Sequence, residues 1–184
     1  MTILGIMGSP RKQGNTHILL SEILKGAEEH GAKTKTVLLG DLKIRECDGC
    51  HACWRGRECP KMDDMNGLFD VIADSDAFVF GTPVYWFGPT ALMKAFIDRF
   101  VYFNFPENRE KVRGKPAALA IPFEENNTET AGGVVSFFDK CLDFLEMRQV
   151  GKILVPGVTL KGEIAKKTDV LEEARALGVK LAEL

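Results

Sequence analysis

Neither glycine-rich nucleotide signature is present in this sequence. The first loop, Gly8-Ser9-Pro10-Arg11-Lys12-Gln13-Gly14-Asn15-Thr16, does not fit G-x-G-x-x-G and lacks a G-K-[ST] ending, which excludes the usual dinucleotide and ATP cradles. No uninterrupted apolar stretch approaches the ~18 residues of a membrane span. Neither charge is in excess: 24 Lys and Arg against 26 Asp and Glu leave a formal net charge of −2. Bulk electrostatics therefore recruit neither nucleic acid nor an anionic membrane. The opening MTILGIMGSPRK places its basic residues after a short apolar stretch, the reverse of a secretory leader, so no export is expected. Histidine is scarce, and no general base or covalent nucleophile stands out.

Cysteine is present and bunched. Four of the five cysteines, Cys47, Cys50, Cys53 and Cys59, follow the spacing C-x2-C-x2-C-x5-C and end in Cys59-Pro60. Structural zinc sites usually take two C-x2-C pairs well apart, whereas three cysteines at three-residue steps suit the corners of an iron–sulfur cube. A [4Fe–4S] cluster is the leading reading; zinc, or free or redox-paired thiols, are the alternatives. Clustered thiols without a leader point to a reducing, cytoplasmic setting. Cys141 sits in an apolar helical pattern and is expected to be a buried, inert thiol.

The rest of the chain alternates strand and helix. Apolar or alternating runs predict strands over 2–7, 33–39, 77–81, 117–121 and 150–155, the second at an edge. Helical periodicity predicts helices after Asn15 or Thr16, after Asp63 or Asp64, from Pro89 through Phe100, over 134–145 and over 170–184, with the Asx and Thr residues as caps. A parallel sheet with helices on both faces is the expected architecture, in one domain over 1–184 with a cysteine-rich loop at 45–62.

Two further loops carry chemistry. The turn between the first strand and first helix is rich in hydroxyls and amides and leads into a helix N-terminus, whose unpaired N–H groups favour a phosphate. Ser9, Thr16, Asn15 and Arg11 could add donors; a capped turn with solvated basic residues is the alternative. After the third strand, Thr82-Pro83-Val84-Tyr85-Trp86-Phe87-Gly88-Pro89 sets three successive aromatics between prolines. They cannot all face one core, so at least one ring is exposed or holds something flat. Open parallel sheets bind ligands at the carboxyl ends of their strands, and these loops and the cysteine loop are expected on that one rim.

GSPRKQGNT, CDGCHACWRGREC, the following MDDM and TPVYWFGPTALMKAFIDR resemble the iron–sulfur flavoproteins, a branch of the NADPH-dependent FMN reductase group with a flavodoxin-like fold. The resemblance covers most of residues 2–100. It implies a three-layer α/β sandwich whose five-stranded parallel sheet has the order 2-1-3-4-5. It implies FMN, with Ser9, Arg11, Gln13, Asn15 and Thr16 around the phosphate and Pro83, Val84, Tyr85, Trp86, Phe87 and Gly88 along the isoalloxazine ring. It also implies a [4Fe–4S] cluster on Cys47, Cys50, Cys53 and Cys59, and a homo-oligomer, dimer or tetramer. The expected function is oxidoreduction: electron transfer between cluster and FMN from a ferredoxin-type donor, or NAD(P)H-dependent reduction of flavin or quinone with no working cluster. The chain departs from the group in its third flavin loop, Pro122-Phe123-Glu124-Glu125-Asn126-Asn127, where glycines are usual. Two carboxylates there disfavour an anionic reduced flavin.

Overall fold

The computed structural model describes residues 1–184. Strands β1 (Thr2–Met7), β2 (Lys33–Leu38), β3 (Ala77–Gly81), β4 (Pro116–Pro122) and β5 (Arg148–Val155) interleave with six helices. These are α1 (Asn15–Glu29), α2 (Met65–Ala73), α3 (Ala91–Asp98), the one-turn α4 (Pro106–Arg109), α5 (Gly132–Phe144) and α6 (Thr168–Ala182). Every strand pair is parallel and the order is β2-β1-β3-β4-β5, the flavodoxin-like arrangement expected from the resemblance. The order reverses between β1 and β3, which leaves a crevice above their carboxyl ends.

Burial follows position in the sheet. β3 and β4 are buried at every residue, whereas β2 exposes Lys33, Lys35 and Thr36 as an edge strand should. Alternation sends Leu4, Ile6, Phe78, Phe80, Leu119 and Ile121 to the face covered by α2, α3 and α5. Ile3, Met7, Ala77, Val79, Ala118 and Ala120 face α1 and α6. The first face is filled by phenylalanines, with Phe80 against Phe138 and Phe96 against Phe100. The second carries small residues, and the helices above it lie close together.

That closeness depends on two glycines. A Cβ on Gly178 of α6 would fall 1.9 Å from the Ile23 carbonyl oxygen, and one on Gly26 of α1 would fall 2.2 Å from the Arg175 carbonyl oxygen. Gly67 in α2 has nothing within 4 Å of an added Cβ. Gly178→Ala is therefore expected to destabilise by about 1–3 kcal/mol, overpacking outweighing helix propensity, while Gly67→Ala stabilises by about 0.5–1 kcal/mol. Urea unfolding midpoints should move in opposite directions; a Gly178→Ala midpoint at or above the parent's would contradict this packing.

Several predicted boundaries shift for local reasons. α1 is preceded by Gly14 with no side-chain cap, because Asn15 is already helical and its amide is used elsewhere. α3 is capped by Thr90, whose Oγ1 accepts from Met93 N at 3.1 Å, rather than opened by Pro89. It tightens to a 3-10 turn over Arg99–Asn104. At α2 the neighbouring Asp63 accepts from Met65 N, while Asp64 holds Lys43 N. β5 begins at Arg148, ahead of the expected Val150, because Arg148 and Gln149 already pair with Pro116 and Ala117, before a register irregularity at Ala117/Ala118.

Candidate functional site

The crevice between β1 and β3 is a cleft lined by Ser9, Arg11, Asn15, Thr16, Pro83, Val84 and Tyr85 from the two predicted loops. Its far wall is Pro122 at the end of β4 with Phe123 and Glu124 beyond it, then Val158, Thr159 and Lys161 after β5. The loops are bolted together below it. Gly8 N donates to Gly81 O at 2.7 Å, Thr90 Oγ1 donates to Gly8 O, and Thr90 N donates to Thr82 Oγ1 at 3.2 Å. Thr90 thus closes the aromatic loop on itself and holds it against the first turn.

Within the cleft, Ser9 and Thr16 are buried hydroxyls, 7% and 2% exposed, and the Ser9 oxygen already accepts from Arg11 N. The uncapped start of α1 opens beside them, leaving first-turn N–H groups for an anion. Lys12 lies outside the lining and pairs with Asp41 at 2.8 Å on the surface, and Arg11 and Lys161 are the cations this cleft presents. The Asn15 side chain is spoken for: Nδ2 donates to Val158 O and Leu160 O, and Oδ1 accepts from Ile164 N. It clamps the loop after β5 onto α1, which leaves its backbone N–H as the donor it can offer an anion. Gln13 lies outside the cleft lining, in a left-handed conformation (φ 57°).

Tyr85 and Gly88 exchange backbone hydrogen bonds at 2.9 and 3.1 Å, closing a tight hairpin whose two central residues, Trp86 (φ 48°) and Phe87 (φ 62°), are both left-handed. Glycine or asparagine is usual there, and each bulky residue so held costs about 1–3 kcal/mol. The hairpin pushes Trp86 out to 96% exposure and Phe87 to 66%. It is braced by Gly133 at the start of α5, where a Cβ would collide with the Phe87 carbonyl oxygen. Tyr85 lines the cleft, while Trp86 and Phe87 border a second depression beside it with Val84, Glu125 and Thr130.

All four clustered cysteines line one further cavity, with Pro60, Lys61, Phe69, Arg99, Val101 and Tyr102. No three His, Cys, Asp or Glu side chains are gathered as ligands of a single ion. A soft all-sulfur donor set around a shared, partly apolar cavity fits an iron–sulfur cluster, which spreads its thiolates over several metals. Gly49 N donates to Cys47 Sγ at 3.4 Å, and Arg99 Nη2 donates to Cys59 Sγ at 3.2 Å. Burial, with Cys47 and Cys59 nearby, pushes the Cys53 thiol above its usual range. Burial also acts to raise the Asp63 carboxyl, but the Arg99 guanidinium and the Arg45 N–H outweigh it and hold the carboxyl below the usual range.

The three loops do not share one cavity. Phosphate-type and aromatic loops meet in one cleft, but the cysteine cavity shares no lining residue with it and leans on the turn after α3. Val158, Thr159 and Lys161 were not legible as site residues, since nothing local marks them. Arg99 had a signal, a cation inside the buried run Phe96–Phe100. His51 is exposed against Trp54, with ring centroids 4.4 Å apart, and Cys141 is half-buried with its thiol pushed up by burial. No helix is long and apolar enough to cross a membrane.

The family of NADPH-dependent FMN reductases matches residues 1–152. An iron–sulfur flavoprotein of Methanocaldococcus jannaschii is 36% identical over 100% of this chain and 97% of its own length. One from Archaeoglobus fulgidus is 33% identical over 100% of this chain and 80% of its own. Among solved structures, an NAD(P)H:quinone oxidoreductase from Methanothermobacter marburgensis has a TM-score of 0.79 at 18% identity, covering 98% of this chain and 96% of that one. That likeness speaks to the fold.

Proposed function

The chain belongs to the NADPH-dependent FMN reductase family and is an FMN-dependent oxidoreductase, and we propose that it works as an iron–sulfur flavoprotein, passing electrons between a [4Fe–4S] cluster and FMN. The observation that carries this reading is the pair of separate sites, an anion-ready cleft at the sheet's switch point and a cavity lined by four thiols. When bound, FMN exchanges electrons singly or as hydride and a [4Fe–4S] cluster exchanges one at a time, which lets the pair join one-electron carriers to two-electron partners.

In this reading the start of α1, Ser9, Arg11, Thr16 and Lys161 hold the FMN phosphate. Pro83, Val84, Tyr85 and the strained Trp86-Phe87-Gly88 hairpin border the ring. Gln13 and Asn15 support this loop: Gln13 N meets His17 Nδ1, and Asn15 clamps the opposite wall. Cys47, Cys50, Cys53 and Cys59 ligate the cluster. Because the two sites share no lining residue, a homo-oligomer that brings one subunit's cysteine loop to its neighbour's cleft is part of the proposal.

The donor follows from charge. Arg55 and Arg57 are exposed on the cysteine loop, and Arg45 keeps 61% of its side chain exposed despite Asp63. Lys61 is withdrawn, paired with Asp48 at 3.0 Å and only 14% exposed. An acidic ferredoxin-type protein meets three arginines there, partly offset by the exposed Glu46 and Glu58, and such steering weakens with salt. Stopped-flow reduction of the loaded protein should be faster with reduced ferredoxin than with NADPH, and the ferredoxin rate should fall as ionic strength rises. The second reading, an NAD(P)H-dependent flavin or quinone reductase, is favoured by the match to the NADPH-dependent FMN reductase family over residues 1–152. Rapid, salt-insensitive reduction by NADPH with sluggish reduction by ferredoxin would establish it instead.

A further inference from the structure

Arg99 is the one charged residue buried over backbone and side chain together, at 2% exposure. It follows α3 in a run whose apolar members enter the core, a costly place for a cation unless its donors are used. Nη1 donates to Asp63 Oδ2 at 2.7 Å and to the Arg45 carbonyl at 3.0 Å, and Nη2 donates to Cys59 Sγ at 3.2 Å. Arg45 precedes the cysteine run and Asp63 follows it, so one planar fork ties both ends of the loop and still reaches a sulfur. The Asp63 side chain is itself only 5% exposed and is fixed by the N–H groups of Arg45 and Met65. The guanidinium therefore cannot swing away.

Closing the loop needs only the contacts to Arg45 and Asp63. The third contact faces a sulfur, a weak acceptor as a neutral thiol and a strong one as a thiolate. We propose that Arg99 is a positioning residue that raises the reduction potential of the cluster bound at Cys59 through a charge-assisted N–H···S hydrogen bond. This rests on the cluster reading given above. Reduction adds negative charge to the cluster and its sulfurs, and a fixed donor and positive charge favour that more negative state. Burial strengthens the effect, because little water competes for either partner.

The test is a redox titration of the protein loaded with FMN and cluster, following the reduced cluster by electron paramagnetic resonance and the flavin by absorbance. Arg99→Lys keeps the charge, but one ammonium cannot reproduce the planar fork that serves Asp63, the Arg45 carbonyl and Cys59 together. It should retain iron and sulfide, with the cluster midpoint more negative and the flavin midpoint unmoved. The double variant Arg99→Gln, Asp63→Asn removes both charges, leaves no unpaired buried ion, and should move the cluster midpoint in the same direction. An unmoved cluster midpoint in either variant at full iron content overturns the proposal. So does loss of iron from both, which would make Arg99 a structural tether only. Parent protein devoid of iron and sulfide is a distinct failure, of the cluster reading itself.

Discussion

Cys53→Ser should yield folded, FMN-binding protein from which cluster iron and sulfide have been lost. Cys53 is the most buried of the four thiols, 9% exposed, and its Sγ lies 3.9 Å from the Val101 carbonyl oxygen. A serine oxygen, on a shorter bond than sulfur, falls out of hydrogen-bond reach of that carbonyl, so the buried hydroxyl should cost about 1–3 kcal/mol, an amount the rest of the fold can absorb. The cysteine cavity shares no lining residue with the cleft, so flavin affinity should be unchanged. Iron and sulfide analysis beside flavin titration reads both halves. Wholesale unfolding of the variant would mean that the bound cluster holds this part of the fold together, and the separation of the two sites would fail.

The second large effect falls on the flavin. Thr16→Ala and Arg11→Ala should each weaken FMN binding by about 1.5–3 kcal/mol, roughly ten- to hundredfold in Kd, since each removes one hydrogen bond to a charged phosphate. The two act on one phosphate, so the double variant will depart from simple additivity. Thr16 is buried at the head of α1 whereas Arg11 is exposed, so salt should erode the Arg11 contribution and leave that of Thr16 nearly intact. Flavin retention equal to the parent's in the double variant, measured by ultrafiltration, would remove this loop from the site.

The sheet was largely legible because its signals are local. Five apolar or alternating runs separated by helical periodicity give five strands, and β1 and β3 have the predicted bounds because Gly8-Ser9-Pro10 and Thr82-Pro83 end them abruptly. The strand order came from the resemblance rather than from periodicity. What stayed hidden depends on distant partners. Asn15 reads as a cap or phosphate donor, yet its partners lie at Val158, Leu160 and Ile164. Asp63 reads as a helix cap, and its governing partner is Arg99. The aromatic turn announced exposed rings, but not that Trp86 and Phe87 would both be left-handed, since sequence rules reserve that geometry for smaller residues.

The Asn15 clamp has a consequence for how the protein is made. One wall of the cleft comes from the first sixteen residues and the opposite wall from residues 158–161, joined by a side chain bridging more than a hundred and forty positions. A nascent chain that has released β1, β2 and β3 from the ribosome can begin its sheet, yet it has nothing to place across the mouth of the cleft. Only when β5 and the segment behind it emerge can Asn15 find its acceptors. Flavin capture therefore belongs to the end of synthesis, and a ribosome-stalled or truncated chain ending at β5 should come away without FMN however well its strands have paired.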